Sequence, residues 1–471
     1  MHHWAKLGIA AGLLALVACH KREAAEAPPA PRPDPKNIPA NVDKIAREVL
    51  ADTGVPSAVV AAVIDGKLIY VNAYGDAKLE PKTAATVQMR YSIGSISKQF
   101  TAAAVLLLVE DGKLSLDDHV GKYVPALTRG DDITIRQILS HTSGYPDYEP
   151  QDYFVPEWAK PITAQQIVDR WAKVPLEFEP GSKWQYSNTN YVIAGLIVEK
   201  VSGQKLMDFL EDHIFHPLRM TSVWDSTETS LTATDSTPYV RAALGPLRVA
   251  PKEGRGWMFA AGELAMTPHD LALWDISLIS QSVLSSESYK NMFTEVKLKD
   301  GKGAHYGLGV FITDEGGHHA IEHDGEVTGF VSANIVLPDD GVAVVALTNH
   351  MASGANEIAR LIAGAVAGNA DEKPAEKQAL AIYRGLQKGQ IDRSLLAPNL
   401  NDYFSTQTVA DFRDSLGPLG EPLSLHQARE DLRGGMTFRA FEIVYPTMRL
   451  HLTTYTYPDG KLEQYLIEPA D

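Results

Sequence analysis

Apolar and polar positions alternate with two different periods along this chain, and the periods map its elements. Val42 to Leu50 places apolar residues at 42, 45, 49 and 50, one face of an amphipathic helix. Ser57 to Ile64 and Lys67 to Ala73 are strand-like and flank Asp65-Gly66, a hairpin turn signal. Phe330 to Leu337 and Val342 to Asn349 flank Pro338-Asp339-Asp340-Gly341 and predict a second hairpin, followed by a helix over Glu357 to Val366. Between these strands the chain is mostly helical, with apolar runs at Phe100 to Val109 and Tyr191 to Val198. Thr163 with Gln166 forms a capping-box pattern, and Thr267-Pro268-His269-Asp270 an N-cap followed by proline. The pattern predicts an α/β (α+β) fold: an antiparallel sheet built from both ends of the segment, flanked by helices, with an inserted helical subdomain. Beyond Gly368 to Glu376, helices over Gln378 to Gln387 and Val409 to Leu416 precede strands over Phe438 to Val444, Met448 to Tyr455 and Leu462 to Glu468. That is a small C-terminal α+β domain.

The amino-terminal run differs. Lys6 precedes an apolar stretch, Leu7 to Val17, too short to span a bilayer and suited to a secretory signal. It ends in Leu16-Val17-Ala18-Cys19, which resembles the lipobox of bacterial lipoproteins. The resemblance implies lipidation of Cys19, the one cysteine of the chain, and a membrane anchor through it. His20 follows where an Asp would mark inner-membrane retention, so a periplasm-facing outer-membrane position is expected. Ala24 to Ala40 carries six prolines and reads as an extended tether. The expected organisation is a signal peptide over 1–18, a tether over 19–40, a main domain over 41–368, a linker over 369–376 and an accessory domain over 377–471. The net charge is −16 and no basic stripe is present, which argues against a nucleic-acid partner.

The chemistry concentrates at Tyr91 to Phe100. Ser95 stands one helical turn before Lys98 at the start of an apolar helix, so hydroxyl and amine share a face. Ser202-Gly203-Gln204-Lys205 has the same spacing, but it trails a helix and its lysine reads as solvated. An exposed lysine stays protonated at neutral pH, so a partner is needed. A tyrosine whose phenol is acidified by the ammonium would serve. Of three Tyr-x-Asn triplets, Tyr186-Ser187-Asn188 lies in a loop before a helix, where Tyr186 and Asn188 point the same way. His323-Asp324-Gly325 precedes a strand, and Gly325 would let a substrate backbone approach a sheet edge closely. His305-Tyr306-Gly307 is a look-alike. His318, His319 and His323 could be read as metal ligands, but a spacing of four needs a helix, and the surrounding glycines predict strand and turn. His141 reads as structural, a histidine whose place after the helix-like run Ile135 to Leu139 suits the helix dipole.

Ser95-Ile96-Ser97-Lys98, Tyr186-Ser187-Asn188 and His323-Asp324-Gly325, in that order, resemble the penicillin-recognising serine hydrolases, which include class C β-lactamases, D,D-peptidases, D-aminopeptidases and related esterases. Leu139 to Gly144 and Ala260-Ala261-Gly262 resemble the family's flanking segments, and Glu263 stands where the family usually has glycine. The resemblance implies Ser95 as nucleophile, Lys98 and Tyr186 as proton carriers, and backbone N–H groups of Ser95 and Glu326 as oxyanion donors. It implies Asn188 and His323 as orienting residues. No cofactor or metal is expected. The third motif opens with His where β-lactamases and D,D-peptidases hold the substrate carboxylate with Lys. A histidine is mostly neutral at pH 7, which favours an esterase or peptidase acting on a small ester, amide or D-amino-acid peptide. A β-lactamase or D,D-carboxypeptidase is the alternative within the class, and a non-catalytic cell-wall or partner-binding relative the alternative outside it.

Overall fold

The computed structural model describes residues 38–151, 153–227, 235–315, 317–352, 354–367, 374–445 and 448–470. The signal segment, Cys19 and nearly all of the proline-rich stretch lie outside the described residues. Helix α1 (Ile38–Thr53) begins three residues earlier than the tether reading allowed. Ile38 is buried, and a proline near a helix start forfeits no intrahelical hydrogen bond.

Seven antiparallel strands form the main sheet: β1 (Ser57–Ile64), β2 (Lys67–Leu79), β3 (Lys82–Ala84), β4 (Phe311–Glu315), β5 (His318–Val327), β6 (Phe330–Leu337) and β7 (Val342–Thr348). Their spatial order is β3-β2-β1-β7-β6-β5-β4, so the first and last strands of the domain pair at its centre. The two-residue period divides β1 and β7 between two cores. Val59, Ala61, Val63, Ala343, Val345 and Leu347 face the helical insertion. Val60, Val344 and Ala346 face α1 and the helix Gly354–Ala367 on the other side.

The insertion supplies helices α2 (Ser97–Glu110), α3 (Ile135–Leu139), α4 (Ala164–Trp171) and α5 (Asn188–Ser202). Thr163 and Gln166 form the reciprocal capping box at α4, and Thr267 caps the helix Pro268–Ser280. His318, His319 and His323 stand on strand β5, where the helical ligand spacing does not apply. His318 bonds Asp340.

The C-terminal unit has its own core around Tyr383, Phe404, Phe441 and Leu452. Its helix Pro374–Gln387 starts inside the segment read as linker. Its sheet has four strands, the first of which, Ser424–Arg433, escaped the sequence reading. That strand is an edge strand, and Arg429 to Arg433 are exposed and largely charged, so no apolar alternation marks it. No helix among the described residues is long and apolar enough to cross a membrane.

Candidate active site

Ser95 sits in a single 3-10 turn, Gly94–Ile96, that leads into α2. Two glycines press this turn against the end of β5. Gly94 has φ +50°, and a Cβ there would stand 2.7 Å from the Glu326 nitrogen. A Cβ on Gly325 would stand 1.9 Å from the Ile93 carbonyl oxygen. Ser332 Oγ donates to the same oxygen at 2.8 Å. The backbone of Glu326 is thereby held beside the turn that carries Ser95, as two convergent N–H donors require.

Lys98, on the first turn of α2, is fully buried. Its Nζ donates to Ser95 Oγ at 2.9 Å, Asn188 Oδ1 at 2.7 Å and the Ala261 carbonyl at 2.8 Å. Three acceptors match the three hydrogens of an ammonium. Burial nevertheless pulls the Lys98 pKa down to about 7, against the opposing pull of Asp147, Glu149 and Asp324. A group balanced there can take a proton and return it at neutral pH.

Tyr186 and Asn188 do face the same way. The Tyr186 hydroxyl is hydrogen-bonded to Ser95, and Asn188 reaches Lys98, while Ser187 turns away to donate to the Pro146 carbonyl at 3.1 Å. The expected acidification of the phenol does not occur. Burial raises the Tyr186 pKa well above its ordinary value, outweighing the hydrogen bond from Ser95, so the phenol keeps its proton. The Lys98 Nζ stands 4.9 Å from the ring centroid, against the face and not at the hydroxyl.

His323 is buried behind Tyr186, with ring centroids 6.3 Å apart. Its Nδ1 donates to the Asp324 carbonyl, so Nε2 accepts from the Tyr306 hydroxyl at 3.0 Å. Burial lowers its pKa to about 4, which keeps the ring neutral. It does not line the cavity that opens on Ser95; its contact with that site runs through Tyr186. Gly325 likewise is absent from that lining: the backbone that approaches it is the chain's own at Ile93, where a substrate backbone was expected.

Sequence reasoning passed over several participants. His141 is fully buried, and its ring lies 4.3 Å from the Tyr186 ring. Burial, then the Lys98 charge, holds its pKa well below 6.5. Its role is therefore that of a neutral acceptor for the Ser187 N–H at 3.2 Å, a structural contact with no charge for the helix dipole to favour. Tyr306 belongs to a triplet dismissed as a look-alike, yet it bonds His323. Asp147 takes hydrogen bonds from Asn188 N at 3.0 Å and Asn188 Nδ2 at 3.3 Å. The second Ser-x-x-Lys is inert as expected: Gly203 ends α5 in the left-handed conformation and Lys205 is exposed.

Ser95, Tyr186, Asn188, Ala261 and Glu326 line a cavity of about 730 Å³, together with Asp147, Glu149 and the aromatic side chains of Tyr148, Tyr153, Phe154 and Trp158. Trp184, Trp257 and Tyr145 are absent from that lining. Trp257 Nε1 is bonded to the Lys160 carbonyl and the Tyr145 hydroxyl to the Thr128 carbonyl.

A family model described as Beta-lactamase matches residues 42–368. Penicillin-binding protein 4* of Bacillus subtilis (strain 168) is 28% identical over 388 residues, 76% of this chain and 84% of that protein. A D-aminopeptidase of Brucella anthropi is 29% identical over 313 residues, 64% of this chain and 58% of that longer protein. Among solved structures, the D-amino acid amidase from Ochrobactrum anthropi SV3 is 25% identical with a TM-score of 0.62, covering 70% of this chain and 98% of that one. The octameric penicillin-binding protein homologue from Pyrococcus abyssi, at 23% identity and TM-score 0.61, covers 91% of this chain and 99% of its own, and shares the fold.

Proposed function

The chain belongs to the Beta-lactamase family, and from that premise we propose that it is a serine hydrolase that passes through an acyl-enzyme on Ser95, acting on a small amide, ester or D-amino-acid peptide. The observation that carries the reading is the 2.9 Å contact between Lys98 Nζ and Ser95 Oγ, made by a lysine whose pKa burial lowers to about 7.

In its neutral form Lys98 accepts the Ser95 proton as Oγ forms a bond to the substrate carbonyl carbon. The oxyanion is met by the backbone N–H groups of Ser95 and Glu326, each worth about 3 kcal/mol of barrier. The phenol of Tyr186, still protonated, gives its proton to the leaving nitrogen or oxygen as the carbonyl re-forms. The proton that Lys98 took from Ser95 then returns to the phenolate through a water of the cavity, because Nζ faces the ring and does not touch the hydroxyl. Water then cleaves the acyl ester with the same groups acting in reverse. Asn188 fixes the lysine from one side and Asp147 fixes Asn188. The related D-aminopeptidase and D-amino acid amidase support amides as the substrate class.

A fluorophosphonate probe tests the scheme. The parent protein should be labelled and Ser95→Ala should not; hydrolysis retained by Ser95→Ala would refute it. A non-catalytic binder would take no label at all. Lipidation at Cys19 and an outer-membrane, periplasm-facing position belong to the same proposal, supported by Leu16-Val17-Ala18-Cys19. Metabolic labelling with a radioactive fatty acid should mark the parent and not Cys19→Ala.

A further inference from the structure

The mouth of the Ser95 cavity carries apolar and basic side chains that the acyl-transfer scheme does not use. Among the described residues of the main domain, three large apolar side chains are more than half exposed: Leu244 at 98%, Tyr153 at 69% and Val249 at 65%. All three gather at this mouth. Tyr153 lines the cavity, as do Val240, Arg241 and Ala242, and Val240 pairs with Arg248 in the short hairpin that carries Leu244 and Val249. The base of that hairpin is fixed. The Tyr239 N–H donates to the Asn349 carbonyl at 3.1 Å, and the Tyr239 hydroxyl accepts from the Leu79 N–H at 2.7 Å. Its tip, Arg241 to Leu244, is exposed throughout, as are Arg248 and Val249. Charge marks the same segment. Ser236 to Lys252 contains Arg241, Arg248 and Lys252 and no acid, in a chain of net charge −16. The carboxyls of Asp147 and Glu149 line the cavity itself and are half-buried.

Clustered, exposed apolar side chains mark a contact surface, and apolar residues flanked by arginines suit an anionic bilayer. The apolar tip enters the headgroup layer while the guanidinium groups meet lipid phosphates. We propose that this rim docks on the surface of a bilayer containing anionic lipid, with Leu244 and Val249 inserted and Arg241, Arg248 and Lys252 against the headgroups, so that the mouth of the Ser95 cavity faces the membrane. The proposal goes beyond the acyl-enzyme reading and does not rest on it. Charge complementarity selects the occupant. The remainder of the chain is strongly acidic and is repelled by an anionic surface, so attraction is confined to this segment. The amino-terminal segment is long enough for the pose. Eighteen residues separate Cys19 from Ile38, and an extended proline-rich chain of that length reaches about 56 Å. Helix α1 is about 24 Å long, and Arg241 Nη2 stands beside Gly54, just past its far end, 3.9 Å from where a Cβ there would be. A lipid on Cys19 and the rim can therefore touch one bilayer together.

Vesicle flotation tests this on the full chain with Cys19→Ala, so that no attached lipid contributes. Whatever the amino terminus adds is common to every protein compared. Binding to phosphatidylcholine vesicles containing roughly a third phosphatidylglycerol should exceed binding to pure phosphatidylcholine by about tenfold or more, because each basic residue near an anionic surface contributes about fivefold. In that same background, Leu244→Glu should lower binding to the mixed vesicles about tenfold and Arg248→Gln about fivefold. Leu432→Glu makes the same change of charge at a leucine 86% exposed on the C-terminal unit, and should leave binding within about twofold. Equal binding by the Leu244→Glu protein and its reference, or an equal loss in Leu432→Glu, would overturn the docking surface. So would failure of the reference protein to bind mixed vesicles at all, which would leave the rim to a protein partner. Should a variant fail to fold, the two lipid compositions decide on the reference protein alone. Fluorophosphonate labelling in free solution reads the acyl-enzyme separately from every one of these outcomes.

Discussion

The protonation of Lys98 should control acylation, and the structure gives the size of the effect. With a pKa of about 7, Nζ is neutral in about one molecule in ten at pH 6 and about nine in ten at pH 8. The sign follows from the mechanism, since only the neutral amine can take the Ser95 proton. Acylation by fluorophosphonate, which carries no amine, should therefore rise about tenfold between pH 6 and pH 8 and level off above. The groups around Nζ are the carboxyls of Asp147, Glu149 and Asp324, the rings of Tyr186 and Tyr191, and the imidazoles of His141 and His323, both held neutral. Burial lifts the Asp147 pKa to about 6, so the rise will be shared by the pair and broader than a single titration. Asp147→Asn removes an anion that favours the ammonium. The inflection should then move towards acid, and the variant should keep a larger share of its pH 8 rate at pH 6. Stopped-flow or gel-based labelling rates across that range provide the assay. A flat profile for the parent, or an inflection that moves to higher pH in Asp147→Asn, would refute the assignment of Lys98 as the base.

Three further changes separate the parts of the site. Gly94→Ala forces a Cβ to within 2.7 Å of the Glu326 nitrogen at φ +50°, and should cut acylation at least tenfold while costing about 1–3 kcal/mol in urea denaturation. Tyr306→Phe removes the donor to His323 Nε2 and leaves a buried acceptor unpaired; a loss of about 1–3 kcal/mol by denaturation is expected, with labelling by fluorophosphonate retained at a reduced rate. Thr163→Ala breaks the capping box of α4, remote from the chemistry, and should cost about 1 kcal/mol of stability with the labelling rate unchanged.

Elements with strong periodicity were readable from the chain alone. The hairpins over β1–β2 and β6–β7 alternate between two cores, and turn residues bracket them, so local pattern and tertiary position agree. The strand Ser424–Arg433 was invisible because it is an edge strand that buries only Leu425, and its exposed, charged second half imprints no period. At the site, Ser95, Lys98, Tyr186 and Asn188 were legible because short spacings and a helix start put them on common faces. Asp147 and Glu149 line the pocket from one segment, while His141 and Tyr306 pack behind it against Tyr186 and His323, and no spacing from Ser95 encodes that meeting. The direction of the Tyr186 shift failed for a related reason. It depends on how completely the surrounding chain removes water, a sum over many residues that no triplet contains.

The two unusual features of this pocket, a lysine near neutrality and a surplus of carboxyls, are one electrostatic system. Burial drives Lys98 towards the neutral amine, while Asp147, Glu149 and Asp324 hold it towards the ammonium. Removing the carboxyls would leave a base too weak to hold the serine proton; strengthening their pull would leave an ammonium unable to accept it. The coupling has a measurable consequence: Glu149→Gln removes one anion that favours the ammonium, so the inflection of fluorophosphonate labelling should move towards acid, and an unmoved inflection would mean that Glu149 does not help to hold the Lys98 proton.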